Sequence, residues 1–298
     1  MTAPQGTHPL IANSQLFVVP GVYDVLSARI AHQTGFHAVV LTGYGVAASH
    51  LGRPDFGLFT QTEILDVARR ILSNVDIRLV VDGDTGFGGP LNVERMVREL
   101  VQMGASGLIL EDQRWPKRCG HMEGKDVIEA EEHAAKIRAA VEARGSAPLF
   151  LTARTDALET HGLDEALRRA LLYKEAGADV LFVEGPRTRE ELKIIARELP
   201  GALAVNLIEG GRTPICSLEE LAEMGFISVG FVLSGLYSAA HALQQTYATI
   251  LAEGSTHSRS DAMHSFPTFN AMIGVEEHME RDRQYRPEAE ERRELDVA

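Results

Sequence analysis

Eight times along the chain, a short and mostly apolar run is followed by a longer stretch with apolar residues every three or four positions. The short runs are Leu16–Pro20, Ala38–Thr42, Arg78–Asp82, Gly107–Glu111, Leu149–Arg154, Asp179–Glu184, Ala202–Asn206 and Ile227–Val232. Runs of this length read as strands, and their near-continuous apolar character fits strands covered on both faces, as in a parallel sheet. The stretches between them have helical spacing. Ile64, Val67, Ala68, Ile71 and Leu72 form one stripe, Val93, Met96, Val97, Leu100 and Val101 a second, and Leu163, Ala166, Leu167, Ala170 and Leu171 a third. Each stripe can pack on a sheet. Asp164–Arg168 and Glu165–Arg169 add i,i+4 pairs, expected on the solvent side of the third helix.

Gly35, Gly104, Gly177 and Gly225 each sit between a helical pattern and the next strand. A left-handed residue there ends a helix. Strands joined through helices run parallel. Eight such units predict an α/β fold, a closed (β/α)₈ TIM-type barrel, in preference to an open doubly wound sheet. The 298 residues fit one such domain, assigned to residues 1–253, with the last barrel helix near Gly235–Ala252. Residues 254–298 are assigned to a C-terminal helical extension and charged tail. In it His264–Met279 is partly helical, and the charged run Arg281–Ala298 is expected to be solvated or disordered.

Bulk properties exclude several function classes. A formal net charge of −13 repels phosphate backbones, so no nucleic-acid partner is expected. Two distant cysteines, Cys119 and Cys216, do not form a disulfide framework. The polar stretch Met1–Asn13 lacks a signal-peptide pattern, and no apolar run is long enough to span a bilayer. The expectation is a cytoplasmic protein with no membrane partner.

In a barrel, catalytic groups gather at the C-terminal ends of the strands. Here those ends are polar. The third carries Asp82 and Asp84, the fourth Glu111 followed by Asp112, the fifth Arg154 with Asp156 beyond it, the sixth Glu184 and the seventh Asn206. Helix capping would account for two or three acids, but not for a carboxylate, arginine or amide at five successive ends. In an extended chain Asp82 and Asp84 point to one side. With Glu111 on the next strand they suit a hard cation, Mg²⁺ or Mn²⁺. Arg154 suits a bidentate grip on a substrate carboxylate; the competing reading is an internal salt bridge to Glu111 or Glu184.

The loop Gln113–Lys125 is long for a strand-to-helix connection and rich in basic residues, with Gly120 and Gly124 free to move, as in a lid. Cys119 lies beside Lys117, Arg118 and His121, where positive charge favours the thiolate; a cysteine there can act as acid, base or nucleophile.

The loop Lys117-Arg118-Cys119-Gly120-His121, preceded by Asp82-Gly83-Asp84, resembles the isocitrate lyase/phosphoenolpyruvate mutase superfamily. So do Thr42-Gly43-Tyr44-Gly45, Leu51-Gly52-Arg53-Pro54-Asp55, Leu110-Glu111-Asp112-Gln113, Ala153-Arg154-Thr155-Asp156-Ala157 and Asn206-Leu207-Ile208-Glu209-Gly210-Gly211. The resemblance runs from about Val19 to Tyr237 and is strongest to 2-alkylmalate lyases and oxaloacetate hydrolases. It implies a homotetramer with the eighth helix exchanged between subunits. It also implies Mg²⁺ held largely through water by Asp82, Asp84 and Glu111, with Asp55 supporting the water shell. Thr42, Gly43 and Tyr44 would donate to the substrate, Arg154, Glu184 and Asn206 would hold the rest of it, and Gly120 and Ser234 complete the substrate-binding set. Cys119 would protonate the leaving enolate, with His121 in the same catalytic group.

The implied activity is cleavage of a carbon–carbon bond in a small anionic dicarboxylate, oxaloacetate or a 2-alkylmalate. The alternatives are 2-methylisocitrate lyase, a phosphonomutase acting on phosphorus–carbon bonds, and a non-catalytic barrel. Tyr44 and Met122-Glu123 depart from the methylisocitrate lyase pattern, and Val232 replaces a proline common in relatives just before the Leu-Ser/Thr pair, here Leu233-Ser234. A Glu123 facing the site would repel a third carboxylate.

Overall fold

The structure is a computed structural model that describes residues 8–12 and 15–286. Its strands are β1 (Phe17–Val22), β2 (Ala38–Leu41), β3 (Arg78–Asp82), β4 (Gly107–Glu111), β5 (Phe150–Thr155), β6 (Val180–Val183), β7 (Ala202–Asn206) and β8 (Phe226–Phe231). All neighbours are parallel, and β1 pairs with β8 to close the barrel. The closed (β/α)₈ reading therefore holds over the open sheet. Strand ends differ from the expected ones by one or two residues, where polar residues such as Thr155 stay in register with a neighbour.

Alternation along each strand divides the apolar residues between two cores. Val39, Leu41, Leu79 and Val81 join the large cluster that includes the helices. Their neighbours Ala38, Val40 and Val80 join a smaller one with Val19, Phe150 and Val180. Each fully buried Leu, Ile or Val contributes roughly 1.5–3 kcal/mol, so the helical jacket is the main source of stability.

In the stripes of helices Gln61–Asn74 and Pro90–Met103 the first four residues are buried as their spacing predicts, and the last, Leu72 and Val101, are half-buried. Thr60 and Glu63 form a reciprocal capping box at the start of the first, and Gly104, in the left-handed region, ends the second. Helix Leu163–Glu175 departs from expectation. Leu171 is exposed, and the buried face is Ala166, Arg169, Ala170 and Tyr173. Glu165 does pair with Arg169 at 2.8 Å, but Arg169 is buried because it continues to Asp112 at 3.2 Å. Arg168 pairs with Glu165 rather than with Asp164.

The chain divides into two compact units, residues 1–238 and 239–298, with the division inside the helix Ser234–Glu253. No residue of that helix is buried, and Leu243, Tyr247, Ile250 and Leu251 are exposed. In the second unit, helices Phe266–Met272 and Val275–Tyr285 follow. The second is helical as far as Tyr285, so the charged run from Arg281 begins as helix: its charges pair along the turn, as in Arg283–Glu280. The remainder of that run, 287–298, and residues 1–7 and 13 of the polar N-terminal stretch lie outside the described residues. Among the described residues no helix is long and apolar enough to cross a membrane.

Candidate active site

The C-terminal ends of the strands surround a small cavity of about 40 Å³. Thr42, Tyr44, Asp55, Asp82, Glu111, Cys119, Gly120, His121, Arg154, Glu184 and Asn206 line it, together with Lys117. Most of the polar residues singled out in the sequence therefore meet in one place.

Asp82 ends β3 and accepts the Gly43 N–H at 3.1 Å and the Asp84 N–H at 3.1 Å. Gly43 therefore spends its donor on the protein rather than facing a ligand. A side chain at Gly43 would meet Asp84 Oδ1 at 2.8 Å, so only glycine lets β2 approach these acids. Asp84 does not share a face with Asp82 through strand alternation, because the chain has left the extended region there. Its φ is +47°, and a left-handed turn brings the carboxylate inward.

Lys117, from the loop, enters this acid cluster fully buried. Its Nζ lies 2.7 Å from Asp55 Oδ1 and 2.5 Å from Asp84 Oδ1. Burial works against its charge, but Asp84, Asp55 and Glu111 outweigh it and hold its pKa well above the ordinary lysine value. One ammonium does not satisfy these acids. Burial pushes the Asp84 carboxyl up to about 8 in spite of Lys117, and Glu111 is likewise raised well above the usual range. Asp55 Oδ1, both Asp84 oxygens and Glu111 Oε1 accept no hydrogen bond of good geometry.

Arg154, on β5, is shared among three acids. Its Nε and Nη2 fork onto Asp156 at 2.9 and 3.0 Å, and Nη1 reaches Glu111 at 3.3 Å and Glu184 at 3.1 Å. The bidentate face expected for substrate is thus taken by Asp156, and the internal salt bridges are present. Only Nη1 remains directed at the cavity acids. The guanidinium also stands 5.5 Å from the Phe182 ring centroid.

Glu184, just beyond β6, accepts from Gly185 N at 2.9 Å and contacts His121 Nε2 at 3.1 Å. His121 Nδ1 accepts the Arg212 N–H at 2.8 Å, which puts the ring proton on Nε2, aimed at Glu184. Burial opposes ionisation of Glu184, but Arg154 and His121 more than offset it, and its pKa is lowered.

Cys119 corrects an expectation. Burial dominates over the nearby cations and pushes the thiol up to about 11, so at neutral pH it is S–H, not thiolate. The cations expected to lower it are engaged elsewhere: Lys117 with Asp55 and Asp84, and Arg118 with the Glu123 carbonyl and the Phe56 ring.

The loop lies folded over the cavity and is anchored twice. Lys117 is one anchor. Lys125 is the other, contacting the Gly120 carbonyl, Asp156 Oδ1 at 2.8 Å and Glu159 at 3.2 Å. A side chain on Gly120 would collide with Arg154 Nη2 and with Glu184. Two expected participants are elsewhere. The Ser234 hydroxyl donates to Glu209 at 2.5 Å and does not line the cavity, because the chain has already turned into a helix. Glu123 is exposed and also absent from the lining, so it does not supply the repulsion expected of it.

Lys117 and Lys125 were not recognisable as buried anchors from the chain alone, because their acid partners Asp55 and Asp156 lie far away along it. Nor did it show the scaffold behind Asp156. There Asp112 accepts from Thr155, Asp156 N and Tyr173 at 2.7, 2.9 and 2.8 Å. Apolar Ile208 and Leu233, which close the cavity, were not distinguishable from ordinary core residues.

Around the cavity, six carboxylates (Asp55, Asp82, Asp84, Glu111, Asp156 and Glu184) face four cationic side chains, Lys117, Arg118, Lys125 and Arg154. Among the described residues no three His, Cys, Asp or Glu side chains converge as direct ligands of one ion. Orphaned buried carboxylate oxygens and a deficit of positive charge fit a hydrated divalent cation that reaches the protein mostly through water.

The chain is similar to known proteins in sequence and in fold. The family model described as phosphoenolpyruvate phosphomutase matches residues 8–251. The chain is 49% identical over 280 residues to the petal death protein of Dianthus caryophyllus, covering 94% of this chain and 88% of that protein. It is 41% identical to 2,3-dimethylmalate lyase of Eubacterium barkeri, covering 93% and 96% respectively. The structure of oxaloacetate acetylhydrolase with the inhibitor 3,3-difluorooxalacetate superimposes with a TM-score of 0.88 at 36% identity, covering 92% of this chain and 94% of that one.

Proposed function

The chain belongs to the phosphoenolpyruvate mutase/isocitrate lyase superfamily of enzymes, and we propose that it cleaves the C2–C3 bond of a small dicarboxylate, hydrated oxaloacetate or a 2-alkylmalate, with the help of Mg²⁺. The charge deficit around the orphaned Asp84 and Glu111 oxygens carries this reading. Asp82, Asp84 and Glu111 would hold the ion, largely through water, with Asp55 in support; Mn²⁺ would serve in the same place. When bound, the ion supplies positive charge for the oxo-acid half as its oxygen becomes anionic.

The remaining work falls to the chain. Thr42, Tyr44 and Asn206 orient the oxygens of the ligand, and the Arg154 Nη1 edge adds positive charge beside Glu111 and Glu184. Breaking the C2–C3 bond leaves its electron pair on C3 as a carboxylate enolate, and the 2-hydroxyl gives up its proton to the carboxylate-rich wall. C3 then needs a proton. Cys119 is the candidate donor, because burial keeps it S–H and it lines the cavity. His121, fixed between Arg212 N and Glu184, positions the Cys-Gly-His turn. Closure of the loop keeps water from the enolate.

A small substrate is favoured by the cavity rather than by Glu123. A third carboxylate needs a cation; Arg212 is held by Glu159 at 2.7 Å, and Arg118, which lines the cavity, turns its guanidinium to the Glu123 carbonyl and the Phe56 ring. The test is kcat/KM for oxaloacetate, 2-methylmalate, 2,3-dimethylmalate, 2-methylisocitrate and phosphonopyruvate, with Mg²⁺ and with excess chelator. Turnover of one of the first three, abolished by chelator, is expected. Preference for 2-methylisocitrate or phosphonopyruvate would move the chain to the corresponding lyase or phosphorus–carbon branch. Full activity in chelator would overturn the metal assignment.

A further inference from the structure

On the outer side of the same loop lies a second and larger cavity, of about 750 Å³, within the range of small-molecule sites. Its wall differs in chemistry from the acidic cavity. Phe87 stands 6.2 Å from Trp115, centroid to centroid, and makes an edge contact with Phe59 at 5.7 Å. Phe87 reaches that position through a left-handed backbone, φ +56°, which is uncommon for a bulky side chain and held here by the surrounding contacts. Three long helices, Gln61–Asn74, Pro90–Met103 and Ala130–Arg144, present their first turns to the cavity. Their N-terminal dipoles add partial positive charge.

The side chains reinforce that sign. Arg95, Arg114 and Lys136 line the cavity against a single acid, Glu132. Arg95 and Arg114 have partners in Glu99 and Asp126. Lys136 differs. It is only 4% exposed, and among the described residues it makes no ion pair; its hydrogen bond goes to the Thr85 carbonyl at 3.1 Å. A buried ammonium bonded to one neutral acceptor is costly to keep charged, and burial lowers its pKa accordingly. Among the described residues its ammonium donates no other hydrogen bond, although the charges of Glu132 and Asp112 act in its favour.

We propose that this cavity is a second binding site, for a planar organic anion whose ring stacks on Trp115 and Phe87 and whose single carboxylate, sulfonate or phosphate meets the buried ammonium of Lys136. Arg95, at the exposed rim, adds a second contact to the anionic group. The site stands apart from the reaction chemistry and does not depend on which substrate the enzyme uses. Because Arg114 and Trp115 belong to the loop that carries Lys117 and Cys119, an occupant also touches the segment that covers the acidic cavity.

Trp115 is the single tryptophan of the chain, so energy transfer from it reports on this site. The probe is 8-anilinonaphthalene-1-sulfonate, a ring system with one anionic group, added with saturating Mg²⁺ and oxalate present so that the acidic cavity does not contribute. Saturable sensitised emission at one probe per chain is expected, weakened about tenfold or more in both Lys136→Met and Arg95→Leu, as loss of a charge-assisted contact implies. Arg95 is exposed, so its replacement keeps the test valid if the Lys136 variant folds poorly. Three results would overturn the proposal: equal affinity in wild type and Arg95→Leu, loss of the signal when Mg²⁺ and oxalate are added, or equally tight binding of the uncharged N-phenyl-1-naphthylamine. The last would mean an apolar groove without anion recognition.

Discussion

Cys119 illustrates how burial and charge compete at a single atom. Three cationic or potentially cationic neighbours adjoin it in sequence, yet desolvation prevails and the thiol titrates near 11. A donor to a carbanion must hold its proton until the carbanion forms, and a thiol in this state does so across the neutral range. Cys119→Ser should therefore lower carbon–carbon cleavage by about 10²–10⁴-fold, the usual scale for loss of a general acid. Oxalate affinity, measured by calorimetry, should change little, because oxalate has no carbon to protonate; equal losses in both would assign Cys119 a structural role. Iodoacetamide labelling of Cys119 should be slow at pH 7 and accelerate toward pH 11. The residue types of the site were legible from the chain because a carboxylate, an arginine and an amide at successive strand ends have few other uses. Protonation states were not, since they depend on desolvation by residues distant in sequence, such as Ile208 and Leu233.

The loop 113–125 shows the same division at the level of an element. Its length and basic composition mark it as a cover, but which cation seats where depends on acids such as Asp55, 62 positions before Lys117. Lys117 and Lys125 fix its two halves to different walls of the barrel mouth. Removing the second anchor by Lys125→Met should leave the barrel intact and free the Gly120 end. Tryptic cleavage at Lys117 or Arg118 should become several-fold faster, and turnover should fall. In the wild type, Mg²⁺ with oxalate should slow the same cleavage. Identical digestion rates for the two proteins would mean that Lys125 does not restrain the loop. The barrel strands were easier to anticipate than this loop because a two-sided apolar strand is a local pattern, whereas a buried ion pair is not. The exposed Leu171 on helix Leu163–Glu175 makes the converse point. There periodicity named the wrong member of the stripe, because Arg169 is drawn inward by Asp112 and Tyr173 takes the core position.

For the molecule as a whole, the apolar residues of helix Ser234–Glu253 remain exposed in the single chain. Exposed Leu243, Tyr247, Ile250 and Leu251 call for a partner, and a homotetramer with this helix exchanged is the arrangement we propose. Light scattering should give four chain masses, and a stable monomer would exclude it. Stability should also depend on His133, which is fully buried and lowered to about 3 by desolvation, with Lys136 and Arg169 adding to the effect. Its folded pKa lies below the unfolded value near 6.5, so its contribution is intact above pH 6.5 and is lost as the pH falls from there toward 3. The loss is at most about 4–5 kcal/mol. His133→Phe should flatten the fall in melting temperature between pH 6.5 and 5; an unchanged slope would show that other groups govern it.

The unequal count of carboxylates and cations around the small cavity bears finally on kinetics. On the proposed reading, the bare site holds its raised acids Asp84 and Glu111 protonated, a divalent cation enters by displacing those protons, and a dianionic ligand then finds the positive charge that it needs. Arrival is then ordered by electrostatics, cation before acid. Raising Mg²⁺ should lower the apparent KM for the dicarboxylate far more than it raises kcat, and added salt, by screening the field, should weaken that dependence.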